Sequence, residues 1–252
     1  MNKLRNNASG SIPLIFLLGI LIVVIIAGVA WYVSQSRSSS HDNSTGTQQI
    51  SNENNESDEE VPSGIIGYVG GSLTSNATDG YKLLNGSKLW DAKRADFGGY
   101  GGGTIDKWAD GINTQSETNK YWQSFDGLYQ TSKSRGATKV VWVQLLGRGE
   151  QTDDEYYDDA LAVIDEVKRR IPEAAMYVSA MNDYNPTTTC KDLQADAPLQ
   201  MQRVLDRVVQ ASKARRGPEV GTLTPALTGS GCHANETGKE LLGKNLLDFF
   251  GK

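Results

Sequence analysis

Histidine is almost missing from this chain, with His41 and His233 its two examples. Any imidazole base in the folded part is therefore His233. Basic clusters are missing too. A net charge of −5 without a lysine or arginine patch excludes the electrostatic footprint of a nucleic-acid binder. Cysteine is limited to Cys190 and Cys232, which with one nearby histidine do not make a four-ligand metal site. The glycine run 98–103 is not followed by Gly-Lys-Ser/Thr, so a phosphate loop is excluded. Asp153, Asp154, Asp158 and Asp159 stand at helical spacing near a helix start, where carboxylates offset the helix dipole without binding metal. No internal repeat is apparent.

Long apolar runs are confined to one place. Residues 12–33 are 22 positions without a charge. As a helix they span roughly 33 Å, enough for a bilayer core. Trp31 and Tyr32 stand at the headgroup end. Lys3 and Arg5 precede the run and Arg37 follows, so the positive-inside bias puts residues 1–11 in the cytoplasm and the rest outside. The expected localisation is a single-pass cell-membrane protein with its C-terminal domain extracytoplasmic. A cleaved signal peptide is the alternative, with Gly28, Val29 and Ala30 as small residues at a cleavage site, although such apolar regions are usually about 7–15 residues long. Residues 34–62 are Ser, Asn, Gln, Thr, Asp and Glu with almost nothing to bury, which reads as a disordered spacer.

Residues 63–252 then make one domain of comfortable size. Outside the cytoplasm its two cysteines predict a disulfide, with two buried thiols as the alternative. Closing that loop is worth about 3–4 kcal/mol in the chain-entropy account. Short apolar runs at 65–69, 140–146 and 176–180 read as buried strands. Between and after them come helices. Thr152 and Glu155 form a capping box before a helix over 153–171 that buries Tyr157, Leu161, Ile164 and Ile171. A second helix runs from Pro198 to the Gly217-Pro218 stop, and a third covers 236–250 with Leu242, Leu246 and Phe249 together. Alternating strands and helices predict a parallel sheet covered on both faces, with ligands at the carboxyl ends of its strands.

The chemistry-bearing residues fall at those ends. Ser72 follows the first strand in Gly70-Gly71-Ser72-Leu73, where glycines permit a sharp turn and a close substrate approach. A serine there can attack a carbonyl and offer its N–H to the oxyanion; the plainer reading makes it a helix cap. His233 opens the last helix.

Taken together these sites resemble the SGNH/GDSL hydrolase superfamily over most of 63–252. Gly70-Gly71-Ser72-Leu73 resembles the Gly-Asp-Ser-Leu block with Gly71 in place of the Asp. Gly101-Gly102-Gly103-Thr104 resembles the second block, whose glycine lends an oxyanion N–H, with Gly102 as the match. Residues 141–149 resemble the third block, with Arg148 where the family has Asn. Gly231-Cys232-His233-Ala234-Asn235 resembles the block around the catalytic histidine, with Ser230 where the family has its acid. The resemblance implies a three-layer α/β/α sandwich with a central parallel sheet, preceded here by the transmembrane helix. It implies an esterase with Ser72 as nucleophile, His233 as base, and Ser72, Gly102 and Arg148 at the oxyanion hole, with no cofactor and no metal. With the acid missing, a Ser230 hydroxyl, a backbone carbonyl or a distant carboxylate is left to orient the imidazole, and Asn182, in an Asn182-Asp183 pair one strand late, is a possible accessory. The expected partner is an ester-bearing substrate, an acylated glycan on grounds of family and location. An inactive glycan- or protein-binding module of the same fold and an acyltransferase using the same residues are the rivals.

Overall fold

The computed structural model describes residues 60–91, 103–112, 118–229 and 232–252. The predicted membrane span 12–33 and spacer residues 34–59 lie outside them; among the described residues no helix is long and apolar enough to cross a membrane. The strands are β1 (Ile65–Val69), β2 (Thr138–Leu145), β3 (Ala175–Ala180), β4 (Asp183–Tyr184), β5 (Arg215–Arg216) and β6 (Thr222–Leu223). The α-helices are α1 (Ser72–Leu83), α2 (Ile105–Ala109), α3 (Lys120–Ser132), α4 (Asp153–Arg170), α5 (Ala197–Ala211) and α6 (Glu236–Phe250).

β1, β2, β3 and β5 form a parallel sheet in that order, and β4 pairs with β6 beside it. Leu89 adds a parallel bridge to Ile66 on the free edge of β1. The order therefore reverses between β1 and β2, where a doubly wound sheet opens a crevice. β2 is buried along its length except at Lys139, as a central strand covered on both faces must be.

Register shows the three layers. Tyr68, Trp142 and Tyr177 stand side by side across β1, β2 and β3. The rings of Trp142 and Tyr177 each lie 6.3 Å from Phe250, so α6 covers that face. Gly67, Val141 and Met176 form the next row and face the other way. A Cβ on Gly67 would strike Trp90, whose ring packs edge-on against Phe125 of α3 at 4.9 Å. α1 packs on α6, while α2, α4 and α5 pack together.

The α4 capping box is present, with Thr152 Oγ1 accepting from Glu155 N–H and Glu155 from Thr152 N–H. Ile164 and Ile171 are buried as expected, but Tyr156, Ala160, Val163 and Val167 share the core with them, while Tyr157 stacks under Arg207. In α6 Leu242 and Leu246 are buried with Phe249 packed half-buried against the same core, and Phe250, not singled out in the sequence, is buried with them. α5 ends at Ala211, short of Gly217, because Arg215 and Arg216 leave the helix to extend the sheet beside Tyr177 and Val178.

Candidate active site

The turn from β1 to α1 leaves no room for side chains. Gly70 has φ +159°, and a Cβ there would fall 1.9 Å from Thr74 Oγ1. Gly71 N–H donates to Thr74 Oγ1 at 3.0 Å, and the Thr74 hydroxyl donates onward to Gln144 Oε1 at 2.7 Å. Gly70 C=O accepts from Trp108 Nε1 at 2.9 Å. The turn is thus tied to β2 on one side and to α2 on the other. Ser72 is not the cap: Gly71 holds that position and Ser72 is the first residue inside α1. Its N–H has no acceptor one turn back within the helix, and the positive end of the helix dipole lies there.

Beyond β2, Leu146 C=O accepts from Ile105 N–H at 2.8 Å, bringing Thr104 to the end of the sheet. Arg148 is fixed through its backbone: N–H donates to the Tyr156 hydroxyl at 3.0 Å, and C=O accepts from Gln194 N–H at 2.9 Å. Gly102 lies outside the described residues. Its neighbour Gly103 donates its N–H to the Tyr121 hydroxyl at 3.2 Å, and burial raises that phenol above its ordinary range.

His233 is presented by a short, heavily tied loop. Gly229 N–H donates to His233 C=O at 2.7 Å, and Asn235 caps α6 by accepting from Gly238 N–H at 3.0 Å. The expected disulfide joins Cys232 to Cys190, with Cα atoms 5.2 Å apart. Cys232 has φ +66°, a left-handed conformation that costs a residue with a side chain about 1–3 kcal/mol. Its carbonyl accepts from the Tyr184 hydroxyl at 3.0 Å. Burial pushes that phenol up to about 12, against a hydrogen bond from Asn182, so Tyr184 remains a neutral donor.

These elements converge. Ser72, Thr104, Arg148 and His233 line one cavity of about 80 Å³ at the carboxyl edge of the sheet. Leu73, Leu146, Met181 and Leu193 supply its apolar wall, and Asp192 is the carboxylate among its described lining residues. Asn182 does not reach that wall. It is buried just past β3 with its amide donating to Asp183 C=O at 3.3 Å, and Asp183 opens the short strand β4. Ser230 lies outside the described residues. The sequence signal missed Thr74, Gln144, Met181, Asp192 and Tyr184, whose roles come from contacts across the fold. Among the described residues no group of three or more His, Cys, Asp or Glu is placed to hold a metal ion.

No protein-family model matches the chain, and no curated protein matches it. Solved structures do. A Slackia heliotrinireducens protein named as a candidate SGNH hydrolase is 16% identical, with 75% of this chain and 100% of that one covered at a TM-score of 0.45. A candidate GDSL-like lipase from Parabacteroides merdae is 9% identical, with 76% and 97% covered at 0.43. A family two carbohydrate esterase from Clostridium thermocellum, in complex with cellohexaose, is 15% identical, with 74% and 64% covered at 0.38. At such identities and TM-scores these likenesses carry no argument, and the chemistry rests on the site's own residues.

Proposed function

We propose that this chain is a serine ester hydrolase of the SGNH type. One observation carries the reading: a serine at a helix N-terminus, a histidine 161 positions later (233 − 72) and an arginine from a third segment line the same small cavity. In this reading the Ser72 hydroxyl attacks the ester carbonyl carbon while its proton passes to the His233 imidazole. The carbonyl oxygen becomes an oxyanion beside the Ser72 N–H and the α1 N-terminus, with Gly102 N–H and the Arg148 guanidinium as further donors. Collapse breaks the bond to the alcohol, which leaves with the proton from His233. Water then attacks the acyl-serine with His233 again as base, releasing the carboxylic acid and restoring Ser72. The protein is anchored by 12–33 with the domain outside the cytoplasm, and an acetylated glycan is its substrate.

The serine at position 230, where the resemblance expects an acid, favours a second reading in which the fold binds its ligand without turning it over. A fluorophosphonate probe separates the two. Labelling of the wild type, lost in Ser72→Ala and His233→Ala, supports the hydrolase; an unlabelled wild type that shows no turnover of p-nitrophenyl acetate ends it.

A further inference from the structure

The cavity holding Ser72 and His233 is small, about 80 Å³. Beside it, past the ends of β3 and β5, lies a much larger cavity of about 370 Å³. Among the described residues one residue lines both: Met181. It is buried, 3% exposed, immediately after β3. Ala180, Leu205 and Val220 line the larger cavity together with the polar Asp183, Arg216 and Glu219. Leu193, the corresponding side chain toward a third cavity of about 310 Å³, is only half-buried and sits on a loop, so it borders the open approach.

We infer that Met181 is the specificity-determining residue of the site, the wall that limits the acyl group to about two carbons. This rests on the esterase reading and names its substrate class: acetyl esters. An acetyl group fits the space over Ser72, whereas a longer acyl chain directed past the end of β3 meets Met181. A methionine suits such a partition, since its unbranched thioether fills an irregular gap closely. Truncation to alanine removes its outer atoms and joins the small cavity to the large one.

The experiment measures kcat/KM of the full chain for p-nitrophenyl acetate, butyrate and hexanoate, in wild type, Met181→Ala, Met181→Leu and Ser72→Ala. The wild type should prefer acetate over hexanoate by roughly tenfold or more, in line with what one or two methylenes decide in a fitted pocket. Met181→Ala should shift the hexanoate-to-acetate ratio upward by about tenfold, while Met181→Leu, of similar volume, should keep the wild-type ratio. Should Met181→Ala fail to fold by circular dichroism, Met181→Val is read in the same assay and should shift the ratio in the same direction. An equal rate on hexanoate and acetate in the wild type overturns the inference, as does an unchanged ratio in a folded truncation. Turnover abolished by Ser72→Ala but indifferent to chain length removes this inference alone. No turnover of any ester removes the esterase reading itself.

Discussion

Gly80 of α1 and Gly243 of α6 meet backbone to backbone. A Cβ on Gly80 would lie 1.7 Å from the Lys239 carbonyl oxygen, and one on Gly243 would lie 2.0 Å from the Gly80 carbonyl carbon. Ser72 opens the first helix and His233 stands three residues before the second. The crossing of two glycines therefore sets the distance between the starts of these helices, and with it the spacing of the proposed nucleophile and base. Gly80→Ala or Gly243→Ala should force the pair apart, costing about 1–3 kcal/mol as overpacking despite alanine's better helix propensity. Denaturant midpoints check the stability. The site argument requires more: kcat/KM for p-nitrophenyl acetate should fall at least tenfold in protein that is still folded. Unchanged turnover would show that the crossing only stabilises the fold.

The disulfide holds the loop that carries the same imidazole. It holds Cys232 at φ +66°, next to His233, and ties that loop to the segment carrying Asp192 and Leu193. The pair Cys190→Ser and Cys232→Ser should lose about 3–4 kcal/mol for a closed loop of this length. Freed of the bridge, residue 232 is expected to leave the left-handed region and carry His233 out of line. Thiol reduction of the folded protein should then lower kcat with little change in KM, and reoxidation should restore it. A reduced, folded protein with full kcat would confine the bridge to stability.

Thr74 supports the turn that presents Ser72. Its hydroxyl accepts from Gly71 N–H and donates to Gln144, both in the buried interior. Thr74→Val keeps the shape and removes both bonds, leaving two buried groups unsatisfied at about 1–3 kcal/mol. Thr74→Ser should rescue most of the loss. Fluorophosphonate labelling of Ser72 should slow in the valine variant and recover in the serine variant. Equal labelling rates in all three would detach the Thr74 hydroxyl from the presentation of Ser72.

Much of this architecture is legible in the chain because apolar continuity marks it. β1 and the Val140–Val143 stretch of β2 are apolar runs, and α4 announces its start with Thr152 and Glu155. α1 gives no such signal, since it buries Thr74, Ser75, Asn76 and Thr78 along with its few apolar residues. Buried polar side chains look like a surface in sequence, whether they bond within their own turn, as Ser75 and Thr78 do, or across the fold, as Thr74 does. β5 is hidden for the opposite reason: Arg215 and Arg216 form an edge strand, where charge is tolerated and backbone pairing does the joining. His233 was found by scarcity. Met181 and Gln144 carry no local mark, since their importance lies in what faces them.

Glu166 provides a test of the helix layer independent of the site. Its carboxylate, 4% exposed, receives Arg169 Nε and Nη2 at 2.7 Å each, and Arg170 Nη2 at 2.6 Å. Arg170 also pairs with Asp126 and lies 4.8 Å over the Trp122 ring, which joins α4 to α3. Burial pushes the Glu166 carboxyl upward, but the hydrogen bonds from Arg169 and Arg170 outweigh it and hold the group below its ordinary 4.5. A carboxyl depressed on folding contributes stability above its unfolded pKa and loses it as pH falls through the folded value. Glu166→Gln should therefore be less stable than wild type at pH 7, with the two stability curves converging as pH drops below about 4. Glu166→Ala, which strips buried Arg170 of this partner, should cost about 3–5 kcal/mol at pH 7. Asp153, lowered by Arg203, also contributes to acid unfolding, so the difference between variant and wild type is the quantity to read. A gap that stays constant from pH 7 to pH 3 would mean that the arginines do not hold Glu166 ionised in the folded protein.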